Sequence, residues 1–190
     1  MPPEENIEQS LPEIFSLEQL GDFLFLSVQS VFSTMMGLPI CPSDTDAPTC
    51  KRPSEAASPV RFFPDHDSVM VGMVGFLGKV SGVLYFYLED AFAQKLAESL
   101  LAMDAQEIEQ SGGFETVVDA LGEICNMMAG NFKNQLSELN YHFRLTIPSI
   151  VRGSNFSVEP GSSETLCYTY PFVSSDQRLV INLIIKVDNE

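Results

Sequence analysis

Residues 114–139, FETVVDALGEICNMMAGNFKNQLSEL, place the strongest condition on the fold. On a helical wheel of about 100° per residue, Val117, Leu121, Ile124, Cys125, Met128, Phe132 and Leu136 share an arc of roughly 120°. A long helix with one apolar stripe must bury that stripe against a second layer. The runs VMVGMVGFL (69–77) and VSGVLYFYL (80–88) are rich in β-branched and aromatic residues, with Gly78-Lys79 between them. They predict an antiparallel hairpin. Further strands are expected at 143–151, 165–172 and 179–187, with turns at 153–163 and 174–177. An earlier helix is expected over 17–36. Ser16 caps it, Glu18 lies in its first turn, and Leu20, Leu24, Val28, Val31 and Met35 recur three or four apart. Gly37 and Pro39 stop it. Another helix is expected from a cap at Asp90 to about Met103, followed by a polar break at 104–113. The order α, β-β, α-α, β-β-β predicts an α+β fold with a largely antiparallel sheet packed against long helices. A helix followed by strands occurs twice, which suggests an internal duplication.

The chain has 190 residues, enough for one ordinary domain. That domain is expected at 16–190, after a polar lead-in at 1–15. An irregular insertion at about 41–59 carries four prolines. The net charge is −16. This sign repels phosphate backbones and anionic lipid, so neither nucleic acid nor membrane is expected as a partner. The N-terminus shows no basic region of a signal peptide. The longest apolar stretch, 23–40, is interrupted by Ser27, Gln29, Ser30, Ser33 and Thr34, short of a membrane span. A cytoplasmic location is the expectation. The four cysteines have no C-x-x-C spacing. Cys125 and Cys167 read as buried hydrophobes, and Cys41 and Cys50 as loop thiols in preference to a disulfide. Gly72, Gly75, Gly78 and Gly82 lack the spacing of a phosphate loop and suit turns or close packing. His66 reads as a loop residue and His142 as a turn or strand-start residue, in preference to a metal pair.

The polar side of the 114–139 helix carries the functional signal. Asp119, Glu123 and Asn126 fall within roughly 60° of one another, opposite the apolar stripe. Gly130 lies on the same side, one turn beyond Asn126. Glycine inside a helix costs about 1 kcal/mol relative to alanine. Here it leaves the helix bare beside a carboxylate and an amide, where another protein's backbone can approach. From the wheel alone, a solvated helix face is the plainer reading. Asn131, at the edge of the stripe, reads as a hydrogen-bonded structural amide.

The spacing Asp119-x-x-x-Glu123-x-x-Asn126, followed twenty-two positions later by Pro148, resembles the signature of the CheC/CheX/FliY family of chemotaxis phosphatases. The stretch DALGEICNMMAGNFKNQLSE is similar to the CheX-like branch in particular. So are the hairpin GKVSGVLYFYL, the helix after Asp90 and the strand LTIPSIVRG. The likeness covers about residues 69–152 well and the C-terminal strands loosely.

The resemblance implies a pseudo-duplicated CheC/CheX-like fold. It implies hydrolysis of the aspartyl phosphate on a CheY-type response regulator in chemotaxis-like two-component signalling. It makes Glu123 the carboxylate that pairs with the receiver's active-site lysine, and Asn126 the amide that orients the attacking water. Asp119, Gly130 and Pro148 take supporting places. An acyl phosphate is already activated, so holding a water in line is a large part of the task. No cofactor of the chain's own is implied, because magnesium arrives in the active site of the phosphorylated receiver. The first helix has no Glu-x-x-Asn, so one site is expected where some relatives carry two. A homodimer is implied, with an apolar strand edge as the contact. The alternative is a non-catalytic CheX-like module that binds a receiver domain or scaffold.

Overall fold

The structure is a computed structural model and describes residues 15–51, 63, 68–78, 80–154 and 165–186. The lead-in up to residue 14, His66, Lys79 and most of the 153–163 turn lie outside the described residues.

Helix α1 spans Leu17–Val31. The Ser16 hydroxyl accepts from the Gln19 N–H at 3.1 Å, and the Gln19 side-chain oxygen accepts from the Ser16 N–H at 2.9 Å. This reciprocal cap satisfies two donors that a helix start otherwise leaves open. The helix continues as a π-helical turn, Phe32–Met36, and ends at Gly37 with φ +65°. A left-handed terminus of this kind favours glycine, which has no Cβ to clash.

Among the described residues, eight strands form one antiparallel sheet. They are β1 Cys41–Pro42, β2 Thr49–Lys51, β3 Val69–Gly78, β4 Gly82–Glu89, β5 Phe143–Leu145, β6 Ser149–Gly153, β7 Thr165–Ser174 and β8 Gln177–Lys186. The order is β1-β7-β8-β4-β3-β5, with β2 also paired to β7 and β6 also paired to β3. The further helices among the described residues are α2 Asp90–Leu101, α3 Ala105–Ser111 and α4 Phe114–Glu138.

Strand alternation divides the sheet into two faces. Met70, Val74 and Phe76 of β3, with Leu84, Phe86 and Leu88 of β4, share the main core with the helices. Val69, Val71, Tyr87 and Val180 point to the other face and pack with Phe63 in a smaller cluster. The apolar stripe of α4 is buried throughout, and Ala120 and Ala129 widen it.

Six local expectations change. Met35, expected on the apolar stripe of the first helix, is 50% exposed, because the π-helical turn brings Met36 to the core instead. Cys167, expected as a buried hydrophobe, is half-buried and donates to Asn182 Oδ1 at 3.2 Å. Asp90 is the first residue of α2 and not its cap. Glu89 occupies the cap position without a side-chain capping bond, and the Asp90 carboxylate is engaged instead by Arg152 of β6. The polar break at 104–113 contains α3. There Asp104 and Glu107 form a reciprocal cap at 2.9 and 2.8 Å, and Ile108 is the one buried residue of the helix. The strand expected at 143–151 is divided into β5 and β6. The insertion at 41–59 carries two short strands, β1 and β2, both on β7, and its residues 52–59 lie outside the described residues. Cys41 lies opposite Val173 and Cys50 opposite Tyr168. Five residues of strand separate those partners, about 17 Å, far beyond disulfide reach.

Candidate functional site

Among the elements packed on α4, β3 and α1 make the contacts that set its pose most specifically. On the sheet side, a Cβ on Gly72 of β3 would lie 3.6 Å from Cys125 Cβ and well inside contact distance of its Sγ. The absence of a side chain at Gly72 is what lets α4 approach the sheet this closely. Cys125 is fully buried, and burial pushes its thiol well above the usual range. It is a packing residue and not a nucleophile. On the other side lies α1. Asn131 Nδ2 donates to Ser27 O at 3.4 Å, and Gln135 Nε2 donates to Phe23 O at 2.9 Å and to Ser27 Oγ at 2.7 Å. Asn131 is thus a hydrogen-bonded amide between helices.

With one side of α4 fixed to the core, its opposite side points outward. Asp119, Glu123 and Asn126 are all exposed. They make no hydrogen bond or ion pair among the described residues. Glu123 and Asn126 are three residues apart, a rise of about 4.5 Å, so both side chains can enter one cleft of a partner. A Cβ built on Gly130 would meet nothing within 4 Å, and the same holds for Gly122. Gly122 lies outside the Asp119, Glu123 and Asn126 motif. Its signal was its place one turn before Asn126, about 40° from it around the helix and about 100° from Glu123, so this second bare position adjoins the amide. The resulting ridge is an acid and an amide between two stretches of uncovered helix. A carboxylate here offers a full negative charge to an incoming cation. The amide offers an acceptor that does not titrate.

Pro148 is half-buried and lies in the interruption between β5 and β6, both of which approach α4. Its missing N–H falls where the ladder is already broken. Ile147, beside it, is 88% exposed. His142 is exposed and immediately precedes β5. Among the described residues, no three His, Cys, Asp or Glu side chains are grouped to hold a metal ion. No helix of the described residues is long and apolar enough to cross a membrane.

The family model described as chemotaxis phosphatase CheX matches residues 70–172, more than half of the chain. The chain belongs to the CheX family. The match takes in the whole of α4, with Asp119, Glu123, Asn126 and Gly130, and extends through Pro148 into β7. The CheY-P phosphatase CheX of Thermotoga maritima is 25% identical over 91 residues, which are 47% of this chain and 56% of that protein. The chain therefore spans about half the length of this curated relative. Among solved structures, chemotaxis protein CheX from Vibrio vulnificus superposes with a TM-score of 0.68 at 22% identity, covering 88% of this chain and 99% of that one. CheX in a CheX–CheY–BeF3–Mg complex from Borrelia burgdorferi gives a TM-score of 0.61 at 22% identity, over 87% and 96%. These structures establish the α+β CheX-like fold of this chain.

Proposed function

We propose that this chain is a phosphatase of response regulators that hydrolyses the aspartyl phosphate of a CheY-type receiver. The observation that carries the reading is the outward ridge of α4. Glu123 and Asn126 stand there without partners, flanked by uncovered helix at Gly122 and Gly130. The chain's membership in a phosphatase family supports it, as does the receiver-bound CheX from Borrelia burgdorferi with a similar fold.

In this reading the ridge docks over the receiver's phosphorylated pocket. Glu123 pairs with the receiver's lysine and fixes the register of the two surfaces. Asn126 then enters the pocket and accepts a hydrogen bond from one water through its side-chain carbonyl. That water attacks phosphorus in line with the bond to the receiver's aspartate. The P–O bond to the aspartyl group breaks, its electron pair leaves on the carboxylate, and the water's proton passes to the released phosphate or to solvent. The chain supplies no nucleophile of its own and forms no covalent intermediate. Magnesium belongs to the receiver, as part of the substrate. A water held in position replaces the encounter of a free one, and correct orientation of this kind accounts for large rate factors. Asp119 adds negative charge one turn before Glu123, and Pro148 shapes the strand interruption beside the helix. The reading also includes a homodimer, which sedimentation of the purified chain tests.

The deciding assay is phosphate release from a panel of phosphorylated receivers with magnesium. The wild-type chain should accelerate release beyond each receiver's own rate for at least one of them. Asn126→Ala should lose turnover, by about 10²-fold or more if water positioning is its role, while receiver binding is largely kept. Glu123→Ala should weaken docking. Variants that both match wild type overturn the assignment. Binding by the wild-type chain with no acceleration leaves a docking module.

A further inference from the structure

At the edge of the sheet, β3 is paired along its outer side by two strands in succession, both of which approach α4, and a Cβ on Gly72 would meet Cys125 of α4 and Ile150 of β6 together. Phe76 faces Leu145 of β5, and Met73 faces Ser149 of β6. Three residues, 146–148, therefore lie opposite the two residues Val74 and Gly75. Thr146 is tied to Gly75 twice. Its N–H donates to Gly75 O at 2.8 Å, and its Oγ1 accepts from the Gly75 N–H at 2.9 Å. Ile147 and Pro148 are left opposite Val74 together, two residues against one. This is a β-bulge, a device that bends the strand and re-aims side chains.

The direction of that re-aiming follows from the flanks. Leu145 and Ile150 both pack on the main core, which lies on the helix side of the sheet. Counting the alternation inward from each end puts Ile147 and Pro148 on that same side, where α4 runs. Proline fixes the backbone at one end of the bulge, and the paired hydrogen bonds of Thr146 fix it at the other. Ile147 is held between two rigid points, and at 88% exposure it is the most exposed large hydrophobic residue described.

We propose that Ile147 is an apolar anchor for the receiver domain, seated in an uncharged recess of the receiver next to the pocket that Glu123 and Asn126 enter. The inference rests on the function proposed above and adds a specificity residue that acts in docking alone. A side chain already covered in the free protein has little left to gain, whereas Ile147 has nearly all of its apolar surface available. Its rigid backbone loses little freedom on association. Covering an isoleucine fully corresponds to about tenfold to a hundredfold in affinity.

The test titrates a phosphorylated receiver against wild type, Ile147→Ser, Ile147→Asp, Ile147→Leu and Leu77→Ser. Leu77 is 60% exposed, and alternation along β3 turns it to the face away from the helices. Ile147→Ser should raise the half-saturating receiver concentration by about tenfold or more, while turnover at saturation stays within about twofold of wild type. Ile147→Asp should raise it further, Ile147→Leu should restore it, and Leu77→Ser should leave it unchanged. Ile147→Ser titrating like wild type overturns the anchor and leaves the functional reading standing. Loss of saturating turnover at unchanged half-saturation overturns it as well. A wild-type chain that neither binds nor dephosphorylates any receiver removes the functional reading, and the anchor with it.

Discussion

Stability and activity should move in opposite directions at Gly130. The residue lies inside α4, and a Cβ added there meets nothing within 4 Å. Its backbone is not among the positive-φ glycines, so an L side chain fits without strain. Alanine in place of a helix-interior glycine removes backbone freedom from the unfolded chain and stabilises by about 0.8–1 kcal/mol. For a domain of this size the corresponding rise in Tm is roughly 2–4 °C. Gly130→Leu should stabilise by a similar amount, since leucine is nearly as good a helix former. Its side chain, however, would project from the ridge between Asn126 and an incoming receiver. An overlap of that kind at a packed interface costs about 1–3 kcal/mol, a loss of roughly tenfold or more in docking. Thermal unfolding and phosphate release measured on the same two preparations check both halves. Destabilisation by Gly130→Ala would contradict the open helical environment. Full phosphate release by Gly130→Leu at limiting receiver would show that no partner covers this ridge.

Gly72→Ala should destabilise by about 1–3 kcal/mol through overpacking against Cys125 Sγ. Adding Cys125→Ala should recover part of that loss, so urea titrations of the two single variants and the double variant should be non-additive. Burial raises the pKa of the Tyr87 and Tyr170 phenols above the ordinary 10.0, and that of the Cys125 thiol above 9.0. The unfolded chain releases these protons first. Their contribution is therefore complete below the unfolded values, begins to be lost at about pH 9–10, and goes on falling as pH rises toward the raised folded values. Urea midpoints should hold steady from neutral pH and fall in that alkaline window. A midpoint that is flat or rising above pH 10.0 would refute the burial argument.

How legible these features were in the sequence depended on how local their causes were. The buried face of α4 was readable because twenty-five residues repeat one period, and the outward face followed by subtraction. The start and stop of α1 were readable because Ser16 and Gly37 act on their immediate neighbours. Helix α3 escaped because seven residues with a single buried side chain carry no periodicity. Its Asp104-x-x-Glu107 cap was nonetheless present to be read. Asp90 was misplaced because its partner, Arg152, is 62 residues away. The division of β5 from β6 depends on which residues of β3 they meet, and no local pattern records that register. The chemistry proposed for Glu123 and Asn126 rests on the resemblance of their motif to the family signature. Their lack of partners came only from the fold.

The grip between α4 and α1 has a further consequence. Asn131 and Gln135 reach main-chain carbonyls, at Ser27 and Phe23. A carbonyl is present whichever residue stands at its position. The exposed positions of α1 are therefore free to drift in composition while its neighbour keeps the same pose, whereas Leu20, Leu24, Val28 and Val31 are held by the core, and Ser27 is the one side chain that the clasp itself reads. Lineages of this protein can thus remodel one helix's outer surface without disturbing the angle at which the other presents its ridge.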